Sequence, residues 1–277
     1  MSNDQTLAAA QEWWSTDIID MSPGKIGFRG YAIQDLIGHV GFVSMIWLML
    51  RGELPYEKQA ALLEAALVAG VDHGPQAPSI AAARMAITCG IGLNNAMASG
   101  VNMLGDVHGG AGEQAVELYL AVAARMDADD SVETATQATL QTFFSTGGRF
   151  VPGFGHRFHP IDPRAPRLLA LVDEAAARGV VSGRFSVIAR QIEAELKATK
   201  GKSVPMNIDG ATAVIFAELG FEAPLARGLF VLSRSVGILA HAWEQQQLGG
   251  RIKGPMPPSF LYRYTGEPPR GAPVQRP

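Results

Sequence analysis

A succession of helix-like segments, separated by glycine and proline, restricts the folds open to this chain more than any other feature. The apolar segment 42–51 is followed by Gly52 and Pro55, as helices often are at their C-terminal ends. Only residues 24–31 alternate apolar and polar side chains between glycines, which predicts one short pair of strands. Because strand patterns are so rare, the sequence predicts an all-α fold. The other predicted helices span residues 58–68, 79–89, 94–104, 113–126, 132–145, 166–178, 185–199, 211–219 and 225–248.

Two breaks in this pattern predict a large and a small helical domain. An irregular, proline-containing stretch and Pro224 bracket the helices of the smaller domain, residues 147–224. Residues 1–146 and 225–277 would form the larger domain, which ends in an extended tail rich in glycine, proline and basic residues.

Composition limits the classes of binding partner and the cellular compartment that are expected for this protein. Hydrophobic residues make up 47% of the 277 residues and charged residues only 18%, which is typical of a compact globular protein with a large core. A net charge of −3 gives no basic field to attract nucleic acid or an anionic membrane, so neither is an expected partner. The single cysteine, Cys89, excludes an intrachain disulfide framework and fits a reducing compartment. Because there is no secretory signal and the apolar run 41–50 is too short to span a bilayer, we expect a cytoplasmic protein.

Residues 151–164 depart most clearly from the helical pattern. Two glycines and a proline precede His156, and Pro160 and Pro163 follow it, so a regular helix is disfavoured there. Two histidines and two arginines therefore lie on a rigid loop between helices, where catalytic and binding groups are often found. A structural loop with surface arginines would also explain this stretch, and the loop alone does not separate the two interpretations.

Four polar residues elsewhere interrupt apolar or glycine-rich surroundings. Arg234 lies on the long apolar helix, where an unpaired buried charge is costly, so it must meet a carboxylate of the protein or an anionic ligand. Asp209 stands where a helix N-cap would stand, which is its simplest interpretation. His108, beside two glycines, could satisfy a loop carbonyl or could approach a small ligand closely. His73, which follows Asp72, could be a core histidine with a satisfied ring.

The sequence offers little for metal or nucleotide binding. His156 and His159 are three residues apart, but Pro160 breaks the helix that this spacing needs, and no third ligand is nearby. The glycine-rich stretch 109–112 lacks the Lys-Ser/Thr pair of a phosphate-binding loop. Cys89 lies inside a predicted helix and is interpreted as a core residue. The sequence therefore predicts no metal site and no permanently bound cofactor.

Seven short segments, taken in order, resemble the citrate synthase superfamily over roughly residues 15–255. No one of them is decisive, but the ordered set is highly specific. The Asp72-His-Gly-Pro75 and Leu104-Gly-Asp106 stretches resemble free-standing citryl-CoA lyases and the citryl-CoA-cleaving module of ATP-citrate lyase more than citrate synthases. The matching segments are 28–36, 51–55, 72–73, 108–111, the loop 153–157 with 162–164, 207–209 and 233–241.

The resemblance implies a helical fold with a large and a small domain, and a reaction that makes or breaks a carbon–carbon bond between acetyl-CoA and a 2-oxo acid. Asp209 would be the base at the acetyl methyl group. His108 would donate, as a neutral imidazole, to the thioester oxygen. His156 would donate a proton to the oxo group or take one from the hydroxyl group that replaces it.

The resemblance also implies the binding groups. His73, Arg164 and Arg234 would hold substrate carboxylates, the arginines through two-pronged hydrogen bonds. The implied partners are a coenzyme A thioester, which is a substrate, and a 2-oxo acid. A homodimer or higher homo-oligomer, and closure of the smaller domain over the substrate, are implied as well. The residues assigned to coenzyme A are Pro152, Gly153, Phe154, Gly155, Arg157 and Lys202.

One departure from the superfamily pattern leaves the substrate open. Gly254-Pro255 stands where an Arg-Pro pair is usual, so one carboxylate contact is missing unless Arg251, Lys253 or Arg263 replaces it. A citryl-CoA lyase-type enzyme, acting on citryl-CoA or an analogue such as citramalyl-CoA, is the first hypothesis. A citrate or 2-methylcitrate synthase and a non-catalytic acyl-CoA-binding relative are the alternatives. Retention of the three catalytic candidates argues against the last of these.

Overall fold

The computed structural model describes residues 3–156, 159–252, 256–257 and 259–271, and it confirms the all-α prediction. Within these ranges the ten helices predicted from the sequence are present, each with ends within three residues of the expected ones. The helices are α1 Asn3–Trp13, α2 Ile33–Leu36, α3 Phe42–Arg51, α4 Glu57–Gly70, α5 Pro78–Thr88, α6 Leu93–Val101, α7 Ala111–Met126, α8 Val132–Ser145, α9 Arg164–Ala177, α10 Arg184–Lys200, α11 Ile208–Glu218 and α12 Ala223–Leu248. The strands are β1 Ile19–Ser22, β2 Lys25–Phe28 and β3 Tyr31–Ala32.

The strand pair predicted at 24–31 belongs to a slightly larger antiparallel sheet. β1 runs from Ile19, opposite Phe28, to Ser22, opposite Lys25, and β3 pairs with the end of β2. No strand was predicted at the position of β1, because an exposed four-residue strand is too short for its alternation to stand out.

Helix α11 lies at the centre of the main hydrophobic core. Its residues 210–217 are all buried, and it packs against α4, α7, α9 and α10. The guanidinium of Arg51 donates to the carbonyl groups of Leu219 and Gly220, at 3.4 and 2.6 Å, just beyond the C-terminal end of α11. Because a helix buried on every face is held by its neighbours, the N-terminal end of α11 is a rigid platform.

Helix α12 joins this core to a second hydrophobic cluster. Ala226 and Leu229 are buried in the main core, whereas Ile238 and Ala242 pack with residues of α5 and α6. By length and composition alone α12 could cross a membrane, but the core helix of a soluble protein passes the same test. Here α12 packs against α4, α5, α6 and α7, so its buried face belongs to the core of the helical assembly.

The division into two domains stays a prediction. The main core is continuous through both parts, for example through Leu63 and Val116 of the large part and Leu168 and Ile192 of the small part. A movement of one part against the other must therefore take place across this shared core. The interpretation of Cys89 as a core residue is wrong: it is exposed and caps α5, because the helix ends one residue earlier than expected.

Candidate active site

The first turn of α11 carries Asp209, and its geometry corrects the simplest interpretation of that residue. The N-cap is Asn207, whose Oδ1 accepts from the backbone N–H groups of Asp209 and Gly210 at 3.0 and 3.2 Å. Asp209 is already the second residue of the helix, so the N-cap interpretation is wrong. The error arose because the helix was predicted to begin at residue 211, three residues too late.

The Asp209 carboxylate lies in a partly buried position, and the described residues offer it no hydrogen-bond donor. Burial raises the pKa of Asp209 above the usual value for an aspartate, while the charges of Arg234 and Arg164 act in the opposite direction. A carboxylate with a raised pKa is a stronger base than an exposed one, and it also holds a proton more readily. Asp209 can therefore move a proton to or from carbon.

The loop that carries His156 is anchored to this helix end. Gly155 N–H donates to the carbonyl of Pro205 at 2.7 Å, and Asn207 donates to Gly153 from its backbone and to Gly155 from its side chain, at 2.9 and 2.7 Å. A Cβ at Gly210 would lie 2.4 Å from the carbonyl oxygen of Gly153, so only glycine allows this approach. The position of His156 relative to Asp209 is therefore fixed by backbone contacts.

The rings of His73 and His156 meet edge to face, with centroids 5.7 Å apart and planes inclined at 67°. Nδ1 of His156 accepts from the backbone N–H of His159 at 3.0 Å, so the neutral ring carries its proton on Nε2. Burial is the main cause that lowers the pKa of both rings, and Arg164 lowers both further. Both rings are thus held in the neutral form at neutral pH.

His108 is fixed by the N-terminus of α5. Its Nε2 accepts from the backbone N–H of Ser79 at 3.2 Å and lies 3.0 Å from the Ser79 hydroxyl. The ring proton is therefore on Nδ1, and burial together with the charge of Arg234 lowers the pKa of His108. A neutral imidazole held in this way can donate a hydrogen bond from Nδ1–H to an oxygen atom that becomes negatively charged during a reaction.

Arg164 is held rigidly by a buried carboxylate. Asp162 Oδ1 and Oδ2 accept from Nε and Nη2 of Arg164 at 2.9 and 2.8 Å, and Oδ2 also accepts from the backbone N–H of Ile208 at 3.0 Å. Burial alone would raise the pKa of Asp162, but the hydrogen bonds and charge of Arg164 and the N–H of Ile208 lower it to about 2. Asp162 therefore ties Arg164 to the start of α11.

Arg234 is a buried cation that the described residues do not pair with a carboxylate within salt-bridge distance. Its Nε donates to the carbonyl of Gly70 at 3.1 Å, and its guanidinium carbon lies 4.9 Å from the centre of the Phe230 ring. Burial lowers the pKa of Arg234, and the carboxylates of Asp209 and Asp72 oppose that effect. Of the two partners that the sequence left open for Arg234, this arrangement favours an anionic ligand.

The structure brings together the six side chains that the sequence assigned to catalysis and carboxylate binding. They are His73, His108, His156, Arg164, Asp209 and Arg234. The charge of Arg234 acts on the rings of His73 and His108, and that of Arg164 acts on the rings of His73 and His156. A narrow cavity beside Asp209, between α4, α11 and α12, opens at this place. The group can bind carboxylates, polarise a carbonyl oxygen and move a proton at carbon.

The residues assigned to coenzyme A are placed less closely together. Pro152 to Gly155 form the anchored loop, Lys202 lies exposed in the turn after α10, and Arg157 is outside the described residues. Pro152 also lines a groove of about 580 Å³ between α7 and α8, together with Arg149 and Phe150. Lys253, Gly254 and Pro255, the tail positions in question, are likewise outside the described residues.

Several residues that build the site were missed from the sequence. Ser79 contributes through its backbone N–H, which no side-chain pattern reveals. Arg149 and Phe150, which line the groove beside Pro152, were not singled out, although an arginine beside an aromatic residue after two glycines gave a weak signal. Asn207 was present in a matching segment but was not recognised as the helix cap.

Comparison with known proteins identifies the family of this chain. The family profile described as "Citrate synthase, C-terminal domain" matches residues 56–256. The citrate synthase of Haloferax volcanii is 31% identical over 221 residues, which cover 79% of this chain and 54% of that protein. The structure of citryl-CoA lyase from Hydrogenobacter thermophilus matches with a TM-score of 0.82 and 34% identity, covering 94% of this chain and 97% of that one. ATP citrate lyase from Methanothrix soehngenii, in complex with citrate and coenzyme A, shares the fold, with a TM-score of 0.75 and 23% identity over 96% of this chain and 45% of that one.

These matches differ in how much of each relative they cover. The chain spans about half the length of the curated citrate synthases that it matches, but nearly the whole of the citryl-CoA lyase. The family profile covers well over half of the chain and includes all six residues of the site. This chain therefore belongs to the citrate synthase family.

Proposed function

We propose that this protein is a citryl-CoA lyase-type enzyme. It reversibly cleaves a 3-hydroxy-acyl-CoA, citryl-CoA or a close analogue such as citramalyl-CoA, to acetyl-CoA and a 2-oxo acid, oxaloacetate or pyruvate. The observation that carries the proposal is the arrangement around the first turn of α11. Asp209, a carboxylate of raised pKa, and the neutral ring of His108 are both acted on by the charge of Arg234, and Asn207 anchors the loop that carries His156 to the same turn. The structural match with a citryl-CoA lyase, at a TM-score of 0.82 and 34% identity, supports the lyase.

In cleavage, His156 takes the proton of the substrate hydroxyl group. The O–H electrons form the carbonyl of the 2-oxo acid, and the electrons of the adjacent carbon–carbon bond move onto the acetyl unit. In the structure Nδ1 of His156 accepts from the backbone N–H of His159, so the proton of the neutral ring is on Nε2. Cleavage therefore starts from the other neutral tautomer, in which Nε2 can accept the hydroxyl proton and Nδ1 no longer accepts from His159. The imidazolium that results returns the same proton to the oxo group in condensation.

The acetyl unit leaves as an enolate, and two residues complete the reaction. The Nδ1–H of His108 stabilises the negative enolate oxygen of the thioester. Asp209, whose raised pKa lets it carry a proton, delivers that proton to the carbon and so forms the methyl group of acetyl-CoA. In condensation, Asp209 removes the methyl proton and the same steps run backwards.

The carboxylate groups of the substrate bind to Arg164, Arg234 and His73. Arg164 is pre-oriented by Asp162, and Arg234 offers an unneutralised buried charge, so both can hold a carboxylate with little rearrangement. The coenzyme A moiety lies along the anchored loop 152–155. The groove that Arg149 and Phe150 line beside Pro152 suits its adenosine end, because it offers an aromatic face and a cation.

The assembly is a homodimer in this proposal. Four large apolar side chains on α12 are exposed and follow helical spacing along one face: Leu232, Val236, Leu239 and Trp243. An apolar helix face of this kind is a typical protein interface. A cytoplasmic setting, which the single exposed Cys89 accords with, is part of the same proposal.

Two alternatives give different products in one experiment. Purified protein is offered citryl-CoA, malyl-CoA and citramalyl-CoA, and the products are identified by mass spectrometry. A lyase releases acetyl-CoA and a 2-oxo acid. A citrate or 2-methylcitrate synthase hydrolyses the thioester and releases free coenzyme A with the tricarboxylate, and a binding relative returns every thioester unchanged. Either of these last two results contradicts the proposal.

A further inference from the structure

We propose that His241 is a positioning residue that holds the turn 72–74 and so aims His73 at a carboxylate of the substrate. The inference rests on the proposed function, in which His73 binds that carboxylate. His241 lies seven residues after Arg234 on α12, so two helical turns place both side chains on the same face. It has no part in the bond-making steps, yet it contacts the segment that carries His73.

The hydrogen bonds around His241 fix which ring nitrogen carries the proton. Nη1 of Arg84, on α5, lies 3.3 Å from Nδ1, and a guanidinium can only donate. Nδ1 of His241 is therefore an acceptor, so the proton of the neutral ring is on Nε2, which lies 3.2 Å from Oδ1 of Asp72. Arg84 is held in turn by Glu244, one turn further along α12, at 2.5 Å. The ring is locked between α5 and the turn.

Asp72 passes this constraint to His73. Its second oxygen, Oδ2, accepts from the backbone N–H of Gly74 at 3.1 Å, which closes a tight turn around His73. The same hydrogen bond and the contact with His241 lower the pKa of Asp72 against the effect of burial, so the carboxylate stays charged. One side chain thus connects the ring of His241 to the backbone on both sides of His73.

The backbone of α12 touches the same turn one helical turn earlier. A Cβ at Gly237 would lie 2.1 Å from the carbonyl oxygen of Val71 and 3.1 Å from Oδ1 of Asp72. Gly237 therefore allows the turn to rest directly on α12, and His241 holds its outer edge. Two contacts on one rigid helix define the direction in which the His73 ring points.

The exposure of the groups around His241 indicates that replacing His241 changes the position of His73 more than the stability of the fold. Asp72 and Glu244 are partly exposed, so water can replace the lost hydrogen bonds at small cost. The turn would then keep only the Gly237 contact and could rotate about it. His73, which lies 5.7 Å from the His156 ring, would no longer be held at a fixed place in the site.

The test compares three variants with the wild-type protein. His241→Ala removes the contact, and His241→Gln restores a donor for Asp72 and an acceptor for Arg84 at similar reach. His39→Gln, at an exposed histidine far along the chain, is the matched control. With only six histidines in the sequence, a ¹³C-histidine spectrum is simple, and the His73 signal is assigned by its loss in His73→Gln.

We expect the His73 ring signal to shift in His241→Ala, to return in His241→Gln, and to stay in place in His39→Gln. By calorimetry, His241→Ala should weaken oxaloacetate binding about tenfold and leave coenzyme A binding within about twofold. An unmoved His73 signal in His241→Ala, or a Gln variant as defective as the Ala variant, would overturn the inference. If the wild-type protein binds neither oxaloacetate nor pyruvate, the proposed function fails, while the His73 signal still decides whether His241 positions the ring.

Discussion

At the scale of single residues, Arg234 is the clearest case of a side chain that the fold leaves ready for a ligand. It is buried, stacked over Phe230 and bonded only to a carbonyl among the described residues. We expect Arg234→Leu to weaken oxaloacetate binding about a hundredfold, since a charge-assisted contact is lost. The melting temperature should stay equal or rise, because replacing a buried charge with an apolar group removes a desolvation cost.

Isothermal calorimetry with oxaloacetate checks this expectation. Arg178→Leu, at an exposed arginine on the surface after α9, serves as the control and should bind as the wild-type protein does. Unchanged affinity in Arg234→Leu would show that the buried cation serves the fold and not a ligand.

Asp162 gives a second prediction at this scale, because its pKa is about 2 in the folded protein. A depressed folded-state pKa contributes stability above the ordinary aspartate value, and that stability is lost as the pH falls from about 4 towards 2. Asp162→Asn should therefore lower the free energy of unfolding by about 2 kcal/mol at pH 7, and by progressively less below about pH 4.

Urea unfolding at a series of pH values measures this difference. A gap between the two proteins that is constant from pH 7 to pH 3 would mean that the loss is one of packing, not of charge.

The sequence was informative about residues that act through their side chains and uninformative about those that act through the backbone. His108, His156 and Asp209 stood out because polar or charged groups are conspicuous beside glycine or on an apolar helix, and the resemblance to the citrate synthase superfamily supplied their roles. Ser79 was missed, since a backbone N–H at a helix start is present whatever the residue. The partner of Arg234 could not be predicted from the sequence, because a carboxylate of the protein and an anionic ligand were equally possible.

At the scale of secondary-structure elements, one arginine of α12, Arg227, contacts acidic residues on both sides of the loop that precedes α7. Nη2 of Arg227 contacts Oδ1 of Asp106 at 2.6 Å, and its Nε contacts Glu113, so the clamp spans the segment that carries His108. We expect Arg227→Met to lower kcat for citryl-CoA cleavage about tenfold with little change in KM, because carboxylate-binding groups are untouched.

Steady-state kinetics of the variant checks this clamp. Arg227→Lys keeps the charge but can reach only one of the two carboxylates at a time. Its kcat should therefore lie between those of Arg227→Met and the wild-type enzyme. A rise in KM at constant kcat would instead place Arg227 in substrate binding.

The positions of most helices could be predicted from glycine, proline and capping residues in the sequence. Helices such as α3 and α8 were placed to the residue, since Gly52 and Ser131 give clear end and start signals. The start of α11 was placed late because two possible caps, Asn207 and Asp209, lie two residues apart. That small error of position concealed the difference between a capping residue and a base.

At the scale of the whole molecule, the exposed apolar face of α12 is the feature that a second copy would cover. Val236 lies in the middle of that face and is 59% exposed. We expect Val236→Glu to shift the protein from dimer to monomer in sedimentation velocity, because the change would bury a charge without a partner. Val187→Glu, at a valine of α10 that is 53% exposed, should leave the wild-type dimer intact. A wild-type protein that sediments as a monomer would contradict the dimer.

The class of the whole fold was predictable because strand patterns are almost absent, whereas the packing of its parts was not. A division at residues 147 and 224 was read from loops and prolines, but the shared core through Leu63 and Leu168 arises from contacts between distant segments. Periodicity in one segment carries no information on which other segment it meets.

In the proposed mechanism, Asp209 delivers a proton to the carbon that becomes the methyl group of acetyl-CoA. Cleavage of citryl-CoA in D₂O measures this step directly, because an enzyme-bound deuteron must enter the product. We predict acetyl-CoA with one deuterium per methyl group from the wild-type enzyme, and a loss of rate of about a thousandfold or more in folded Asp209→Ala. Wild-type rates in that variant, or acetyl-CoA without deuterium, would contradict the assignment of Asp209 and with it the proposed mechanism.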